Sequence, residues 1–403
     1  SDININGAII ETPPQEFNVD LSTNIALILA KKTKQSPIKL AESIKKIIQE
    51  NLEDFSTIEV AGPGFINFRF SSKTYQKLML TILKSNNEYG SSNKNKSYNI
   101  EFVSANPTGP MHVGHSRGAI FGDVLAKLLT FNGNSVVKEY YINDYGNQIV
   151  NFTESVFYRL REIKFKEKFI KKENLYPGIY VIDIAKKILL ELPEIDLNNF
   201  KKNFSILSKE ALKHSMILIK NDLKALGISH DIFVSEKNLV EKNLVEKSIQ
   251  YLKDKKFVEE GYLNPPKGVK NKDWKKAKRL IFKSTLFGDD TDRALQKDDG
   301  TWTYFANDIA YHSDKTSRKY NYLINVLGAD HIGYIKRITA ATNALSDNKI
   351  VLTCKVCQLV KLFKNGQPYK MSKRAGDFIS VRELLNEVDK DSIRFMMLNR
   401  SND

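Results

Sequence analysis

The chain has 403 residues and only six histidines. Two of them, His112 and His115, stand three apart in "MHVGHSRG". Three chemistries suit such a pair. A zinc site needs three or four ligands, and no third His or Cys lies nearby in the sequence. A purely structural helix cap is the second reading. The third is a nucleotide clamp. Imidazoles donate hydrogen bonds to phosphate oxygens, most usefully as charge redistributes during displacement at phosphorus. Helix N-terminal amides favour the same anion, and Gly114 leaves room for a flat base against the backbone.

A second candidate is "YKMSKRAGDF", residues 369–378. Lys370, Lys373 and Arg374 crowd around Met371 and Ser372, and Gly376 lets the segment bend. Alone, such a loop reads equally well as solvated surface. No G-x-x-x-x-G-K-[ST] occurs anywhere, so a P-loop does not supply phosphate contacts. Lysines on a loop supply them as point charges on a departing pyrophosphate.

Several elements must position these groups. "YNIEFVSANPTGP" (98–110) reads as a buried strand stopped by Pro107, Gly109 and Pro110. From His112 a helix pattern runs to Phe131, with Ile120, Val124, Leu125, Leu128 and Leu129 on one stripe. Gly114, Gly118 and Gly122 recur every fourth residue, so one helix face can approach a strand or ligand closely. "VVKEYYIND" follows as a second strand, giving a β-loop-α-β unit. Parallel sheets of that kind bind ligands at the carboxyl ends of their strands.

Residues 151 to about 260 read as helical and Lys-rich. They repeat "EKNLV" at 236–240 and 241–245, which reads as a slip on an exposed helix. A basic loop (264–276) follows. "RLIFKST", "TWTYFAND" and "YLINVLGAD" are expected to return to the sheet as strands. "VCQLVKLFKNGQPYKMS" has the alternation and Asn-Gly turn of a hairpin, and "DSIRFMMLNRSND" reads as a helix. Before all this, residues 1 to about 90 form a small α/β unit. It has two strands around "AGPG" and ends at the polar linker "SSNKNKS" (91–97).

Net charge is +15, which points to a polyanionic partner, most often nucleic acid. A Lys-, Asn- and Ile-rich genomic bias is the alternative. Two cysteines give no disulfide framework and suit a reducing cytosol. No apolar run has membrane-spanning length, and the start lacks the basic and apolar regions of a secretory signal. Cys354 and Cys357 have the C-x-x-C spacing of a zinc half-site, but no second pair exists, so strand packing is expected. Asp289, Asp290 and Asp292 read as a solvent-facing loop, with a Mg²⁺ contact as the alternative.

Taken together, "HVGH" and "KMSKR" resemble, in order and separation, the two signatures of the class I aminoacyl-tRNA synthetases. "EFVSANPTGPMHVGHSRGAIFGD", "YYINDYGNQI", "STLFGDD", "TYFANDIAYHSDK", "LGADHIGYIKR" and "KMSKRAGDF" resemble the bacterial arginyl-tRNA synthetase family, and "VAGPGFINF" its N-terminal domain. The resemblance covers nearly the whole chain.

It implies an α/β fold: a Rossmann-like parallel-sheet catalytic domain (93–403) with a mainly helical insertion at about 151–275. A small α/β domain (1–92) that touches the outer corner of tRNA precedes it. It implies ATP-dependent ligation of L-arginine to tRNA(Arg) through an arginyl-adenylate, with AMP and pyrophosphate released. The nucleotide is ATP with Mg²⁺, no zinc is used, and the protein is a cytoplasmic monomer with no membrane partner. ATP-binding positions carried over are Pro107, Gly109, His112, Gly114, His115, Lys370, Met371, Ser372 and Lys373. His112, His115, Lys370 and Lys373 are the catalytic ones. Arg374 stands where a serine is common.

A guanidinium is planar, always charged and recognised by carboxylates. The matching positions are Glu101, Ser104 and Asn106 in "EFVSAN", Tyr304 and Asp308 in "TYFAND", and Asp330 and His331 in "GADH". The family continues into an anticodon-binding domain, and a sequence ending at Asp403 is expected to lack it. Two other readings stay open: a ligase joining an amino acid to a small molecule, and a non-catalytic RNA-binding relative.

Overall fold

The computed structural model describes residues 5–170, 172–263, 277–358, 360, 362–364, 367–369 and 378–399. The chain divides into two units, Ser1–Ser91 and Ser92–Asp403.

The first unit is an antiparallel sheet of β1 (Ile10–Glu11), β2 (Leu21–Thr23), β3 (Phe55–Ala61) and β4 (Phe65–Phe70), in the order β1-β2-β4-β3. Helices α1 (Ile25–Thr33), α2 (Pro37–Asn51) and α3 (Ser72–Ser85) accompany it. The "AGPG" turn forms as its sequence requires, with Gly62 and Gly64 at positive φ. Ala26, Ala41, Ile58, Ile66 and Phe68 form the core.

The second unit is built on five parallel strands. They are β5 (Ser97–Glu101), β6 (Ser135–Ile142), β7 (Ile232–Ser235), β11 (Tyr322–Gly328) and β12 (Val351–Cys357), in the order β12-β11-β5-β6-β7. The chain leaves β5 toward β6 through α4 (Val113–Phe131), and later returns to the other side of β5 as β11. That reversal makes β5/β11 the switch point, where doubly wound sheets open a crevice.

Alternate residues feed opposite faces. Leu323 joins a core with Ile309, Ala310 and Ala341, whereas Ile324 joins Ile120, Ile219 and Val381. A third core lies among α5 (Asn147–Phe165), α6 (Ile179–Glu191) and α7 (Phe200–Ala225). Two short helices, α8 (Glu236–Glu241) and α9 (Leu244–Asp254), follow β7. A small antiparallel sheet comes next: β8 (Val258–Gly261), β9 (Arg279–Phe282) and β10 (Arg293–Ala294). Then come α10 (Tyr304–Ser317), α11 (Ile335–Leu345), the hairpin β13 (Leu362–Lys364) and β14 (Gln367–Tyr369), α12 (Val381–Glu387) and α13 (Lys390–Leu398).

Several sequence expectations are corrected. "TWTYFAND" does not form a strand; Thr303 caps a helix there, its hydroxyl accepting from Ala306 N–H at 3.4 Å. The local aromatic content mimics a strand, but the cap and the apolar spacing of Phe305, Ala306, Ile309 and Ala310 are helical. "RLIFKST" pairs in the small antiparallel sheet, not the parallel one. The region read as mainly helical contributes β7 to the parallel sheet, in register with β6 from Glu139↔Ile232 onward. The "EKNLV" copies are not on one exposed helix. The first lies on α8, the second runs from the end of α8 through left-handed Asn243 (φ 53°) into α9, and they bury Leu239 and Val245.

Cys354 and Cys357 both lie on β12. Strand residues three apart face opposite sides, so the pair does not converge on one ion. Asp289 is not on a solvent-facing loop. It is buried and accepts two hydrogen bonds from Arg293, at 2.7 Å each. Asp290 is exposed and pairs with Lys336 (2.7 Å), while Asp292 accepts from Thr285 N–H (3.1 Å).

Candidate functional site

β5 ends at Glu101, and the chain turns sharply. Val103 and Ser104 both take positive φ, 71° and 41°. That is costly for any side chain and most of all for a β-branched one, about 1–3 kcal/mol each. The Ser104 hydroxyl braces the turn: it donates to Glu101 Oε1 (3.1 Å) and accepts from Tyr141 N–H (3.1 Å). Farther along the loop, Tyr140 donates to the Ala105 carbonyl (2.7 Å), and buried Asp222 of α7 accepts Met111 N–H (2.9 Å).

The loop delivers His112 as the N-cap of α4. His115 Nδ1 accepts the His112 backbone N–H (3.2 Å), which leaves the neutral ring's proton on Nε2. The two imidazoles stack with centroids 3.7 Å apart. The glycine spacing of α4 serves two purposes. A Cβ at Gly122 would lie 2.3 Å from the Phe102 ring, and one at Gly114 would lie 2.8 Å from the His112 ring. Gly122 therefore lets the helix seat against the chain just after β5, and Gly114 leaves the His112 ring its place.

A cavity of about 710 Å³ opens along the β5/β11 crevice. His112, Gly114 and His115 line it, as do Glu101, Ser104 and Asn106. Tyr304, Asp308, Asp330 and His331 line it too. Tyr304 is rim-like, at 79% exposure. Asp330 and His331 are exposed and adjacent, 3.5 Å apart at their charged atoms. Pro107 and Gly109 do not line the cavity. They are buried, and a Cβ at Gly109 would strike the Tyr180 ring at 2.6 Å. Lys370, Met371, Ser372, Lys373 and Arg374 lie outside the described residues. The segment just after them is tied to the histidine loop. Val113 N–H donates to the Ile379 carbonyl and Val381 N–H to that of Met111, both at 3.0 Å.

Helix α10 supplies one wall. Tyr304, Asp308, Tyr311, His312 and Lys315 share one face, at spacings of four, seven, eight and eleven. Burial in the cavity pushes the Asp308 carboxyl up to about 7, against the hydrogen bond donated by Tyr334; the negative charges of Glu236 and Glu101 add to the rise. The sequence reading missed Glu236, the first residue of the duplicated "EKNLV". It opens α8, lines the cavity and accepts from Asn307 (3.1 Å). Its own carboxyl is raised, first by burial. With Asp330 at the rim, Glu101, Glu236 and Asp308 line one space, which suits a cationic ligand.

Beneath the cavity, Asn325, Glu101 and Glu139 are register neighbours on β11, β5 and β6. Lys315 donates to Glu101 Oε2 (2.5 Å) and to Asn325 Oδ1 (3.0 Å). Burial alone would raise the Glu139 carboxyl. Lys315 and Arg318, with a hydrogen bond from Tyr311, hold it down at about 2. His312 donates from Nδ1 to the Asp308 carbonyl (2.9 Å) and accepts at Nε2 from Asn325 (3.0 Å). Burial lowers this imidazole to about 4, so it is neutral.

Among the described residues, one His/Cys/Asp/Glu group has metal-like spacing: Glu191, Glu210 and His214, far from this cavity in sequence. Lys213 already pairs with both of its carboxylates, at 2.7 and 2.8 Å.

A parallel sheet open at its switch point, with a histidine pair at the first helix N-terminus, defines the class I synthetase catalytic domain. The family model for "tRNA synthetases class I (R), catalytic domain" matches residues 78–403, and that for "Arginyl tRNA synthetase N terminal domain" matches residues 1–70. The chain belongs to the arginyl-tRNA synthetase family. It is 51% identical to the arginine–tRNA ligase of Pelagibacter ubique over 402 residues, covering 99% of this chain and 70% of that protein. It is 45% identical to that of the Wolbachia of Brugia malayi, covering 98% and 70%. The solved Thermus thermophilus arginyl-tRNA synthetase shares the fold, with a TM-score of 0.63 at 19% identity, over 97% of this chain and 70% of that one.

Proposed function

We propose that this chain joins L-arginine to tRNA(Arg) in two steps. The observation that carries the reading is that one crevice holds both a histidine pair at a helix N-terminus and the carboxylates of Glu101, Glu236 and Asp308. In the first step the arginine carboxylate attacks the α-phosphorus of ATP, and pyrophosphate leaves. In the second, the terminal ribose hydroxyl of tRNA attacks the activated carbonyl and AMP leaves. Both steps depend on positioning and on stabilising charge that moves to oxygen.

His112, Gly114 and His115 cradle the nucleotide. His115 is oriented for this: its Nδ1 accepts the His112 N–H, which places the neutral ring's proton on Nε2. Pro107 and Gly109 act indirectly, as the buried scaffold of that loop. Lys370 and Lys373 neutralise the departing pyrophosphate, with Met371 and Ser372 completing the loop. Support for their reach comes from the hydrogen bonds that fasten the loop's downstream end beside His112. Mg²⁺ arrives with ATP and shares in neutralising its phosphates.

Asp308 and Glu236 receive the guanidinium, with Tyr304 as an aromatic wall. Glu101, Ser104 and Asn106 hold the arginine nearer the reacting end, and Asp330 and His331 close the rim. The net charge of +15 supports a polyanionic partner, and we assign residues 1–92 to contact with the outer corner of tRNA. No helix among the described residues is long and apolar enough to cross a membrane. Both cysteines are free, which supports a cytoplasmic setting, and we take the working unit to be a monomer.

The test is arginine-dependent ATP–pyrophosphate exchange with tRNA(Arg) present, paired with filter binding of tRNA. Exchange with arginine, and none with lysine or citrulline, is expected. tRNA binding without exchange would leave a non-catalytic RNA-binding relative. Exchange that ignores tRNA, with no tRNA retained, would leave a small-molecule ligase.

A further inference from the structure

We infer that Lys315 is a positioning residue for arginine binding, acting through Glu101; the inference rests on the reading that Glu101 contacts arginine. Two carboxylates stand side by side at the same level of the sheet, Glu101 on β5 and Glu139 on β6. Two cations stand three residues apart at the end of α10, Lys315 and Arg318. The pairs divide the labour.

Glu139 is saturated. It accepts from Arg318 twice (2.6 and 3.0 Å), from Asn99 (2.7 Å) and from Tyr311 (2.7 Å). It has no exposed surface and does not line the cavity. Its role is to knit α10 to the sheet. Glu101 differs: its side chain keeps 12% of its surface exposed, and it lines the cavity. Its Oε2 is taken by the fully buried Lys315 ammonium. Its Oε1 accepts the Ser104 hydroxyl proton at 3.1 Å.

The polarity of the network leaves Lys315 one way to act. His312 fixes Asn325 with its amide N–H₂ toward the imidazole, so Asn325 Oδ1 faces Lys315. The ring of Tyr311 lies 4.4 Å from the ammonium. Among the described residues, Lys315 donates to the Glu101 carboxylate and the Asn325 carbonyl oxygen and lies beside the Tyr311 ring, so the full negative charge it hydrogen-bonds is that of Glu101. The ammonium therefore pins one carboxylate oxygen from below and turns the other edge to the cavity. It also cancels the charge of Glu101, so the net negative charge offered to a guanidinium comes from Asp308 and Glu236.

The test is a double-mutant cycle read as arginine KM and ATP KM in tRNA-dependent exchange. Lys315→Met keeps the side-chain volume and removes the charge. It is expected to raise arginine KM about tenfold or more, because a charge-assisted contact that orients the ligand is lost, with ATP KM within twofold of wild type. Glu101→Gln is expected to raise arginine KM as well. The double variant K315M/E101Q, which leaves no unpaired buried charge, is expected to match E101Q alone. If K315M does not accumulate as folded protein, E101Q is compared directly with the double variant. Effects that multiply, a wild-type arginine KM in K315M, or equal rises in both KM values would overturn the inference. An E101Q variant with unchanged arginine KM would instead overturn the reading that Glu101 touches arginine.

Discussion

Val113 donates its backbone N–H to the carbonyl of Ile379 at 3.0 Å. One residue lies in the first turn of α4, beside the histidine pair. The other follows the basic loop, more than 260 positions later in the chain. With the reciprocal bond from Val381 to Met111, this bridge fastens Ile379 and Val381 to the histidine loop.

His112 and His115 line the crevice, and the proposed mechanism gives them the nucleotide. His112→Ala or His115→Ala is expected to lower the rate of arginine activation by about 10²-fold or more, as loss of a transition-state hydrogen bond does. Secondary structure should be unchanged by circular dichroism. Near-normal turnover in either variant would remove that histidine from the clamp.

In the proposed mechanism Lys370 and Lys373 act on a leaving group, which assigns their contribution to the transition state. Alanine at either should reduce kcat more than it raises ATP KM. Steady-state exchange over a range of ATP concentrations separates the two. A pure KM effect would mark them as ground-state binding groups.

Arginine binding should follow the state of Asp308. With its carboxyl at about 7 in the free chain, protonated Asp308 predominates below that pH and ionised Asp308 above it. A guanidinium must displace the proton at low pH and meets none at high pH. Arginine affinity is therefore expected to be about tenfold weaker near pH 6 than near pH 8, read by isothermal titration. Asp308→Asn should abolish the slope and weaken arginine by one to two orders of magnitude, the range of about 1.5–3 kcal/mol for a charge-assisted hydrogen bond. A persistent slope in that variant would assign the titration to another group.

Glu139 sets an acid limit on stability. Its carboxyl is held at about 2 in the folded chain against an ordinary 4.5. A depressed carboxyl stabilises fully above its unfolded value, and that stability is lost as pH falls toward the folded one. Urea midpoints should therefore drop between about pH 4.5 and pH 2. Glu139→Gln should flatten that drop while lowering stability at neutral pH, because Arg318 is left unpaired. An equally steep acid limb in the variant would exclude Glu139 as its source.

Gly122 is a packing test with no chemistry in it. Its missing Cβ would overlap the Phe102 ring at 2.3 Å. Gly122→Ala should cost about 1–3 kcal/mol by overpacking, although alanine is the better helix former. Denaturant unfolding checks the sign. A stabilised variant would show that α4 can shift away from β5 without penalty.

Some of this was legible before any fold was known, because the signal was local. The β-loop-α-β unit around His112 and the Asn-Gly hairpin are written in residues that touch their sequence neighbours. So are the "AGPG" turn and the glycine face of α4. The sequence also determined the charge types of the crevice, since Glu101, Asp308 and the histidine pair stand in quotable motifs. The start of α10 was misread because its aromatic and Thr residues mimic a strand and mask the helical cap at Thr303 and the helical spacing of the buried Phe305, Ala306 and Ile309. The tertiary structure alone determined that Glu236, in the repeat read as a slip on an exposed helix, lines the same cavity as Asp308. It alone set Lys315 beneath Glu101, 214 positions away. Such pairings depend on strand order and helix rotation, which long-range burial fixes; two residues distant in sequence carry no local sign that the sheet will set them side by side.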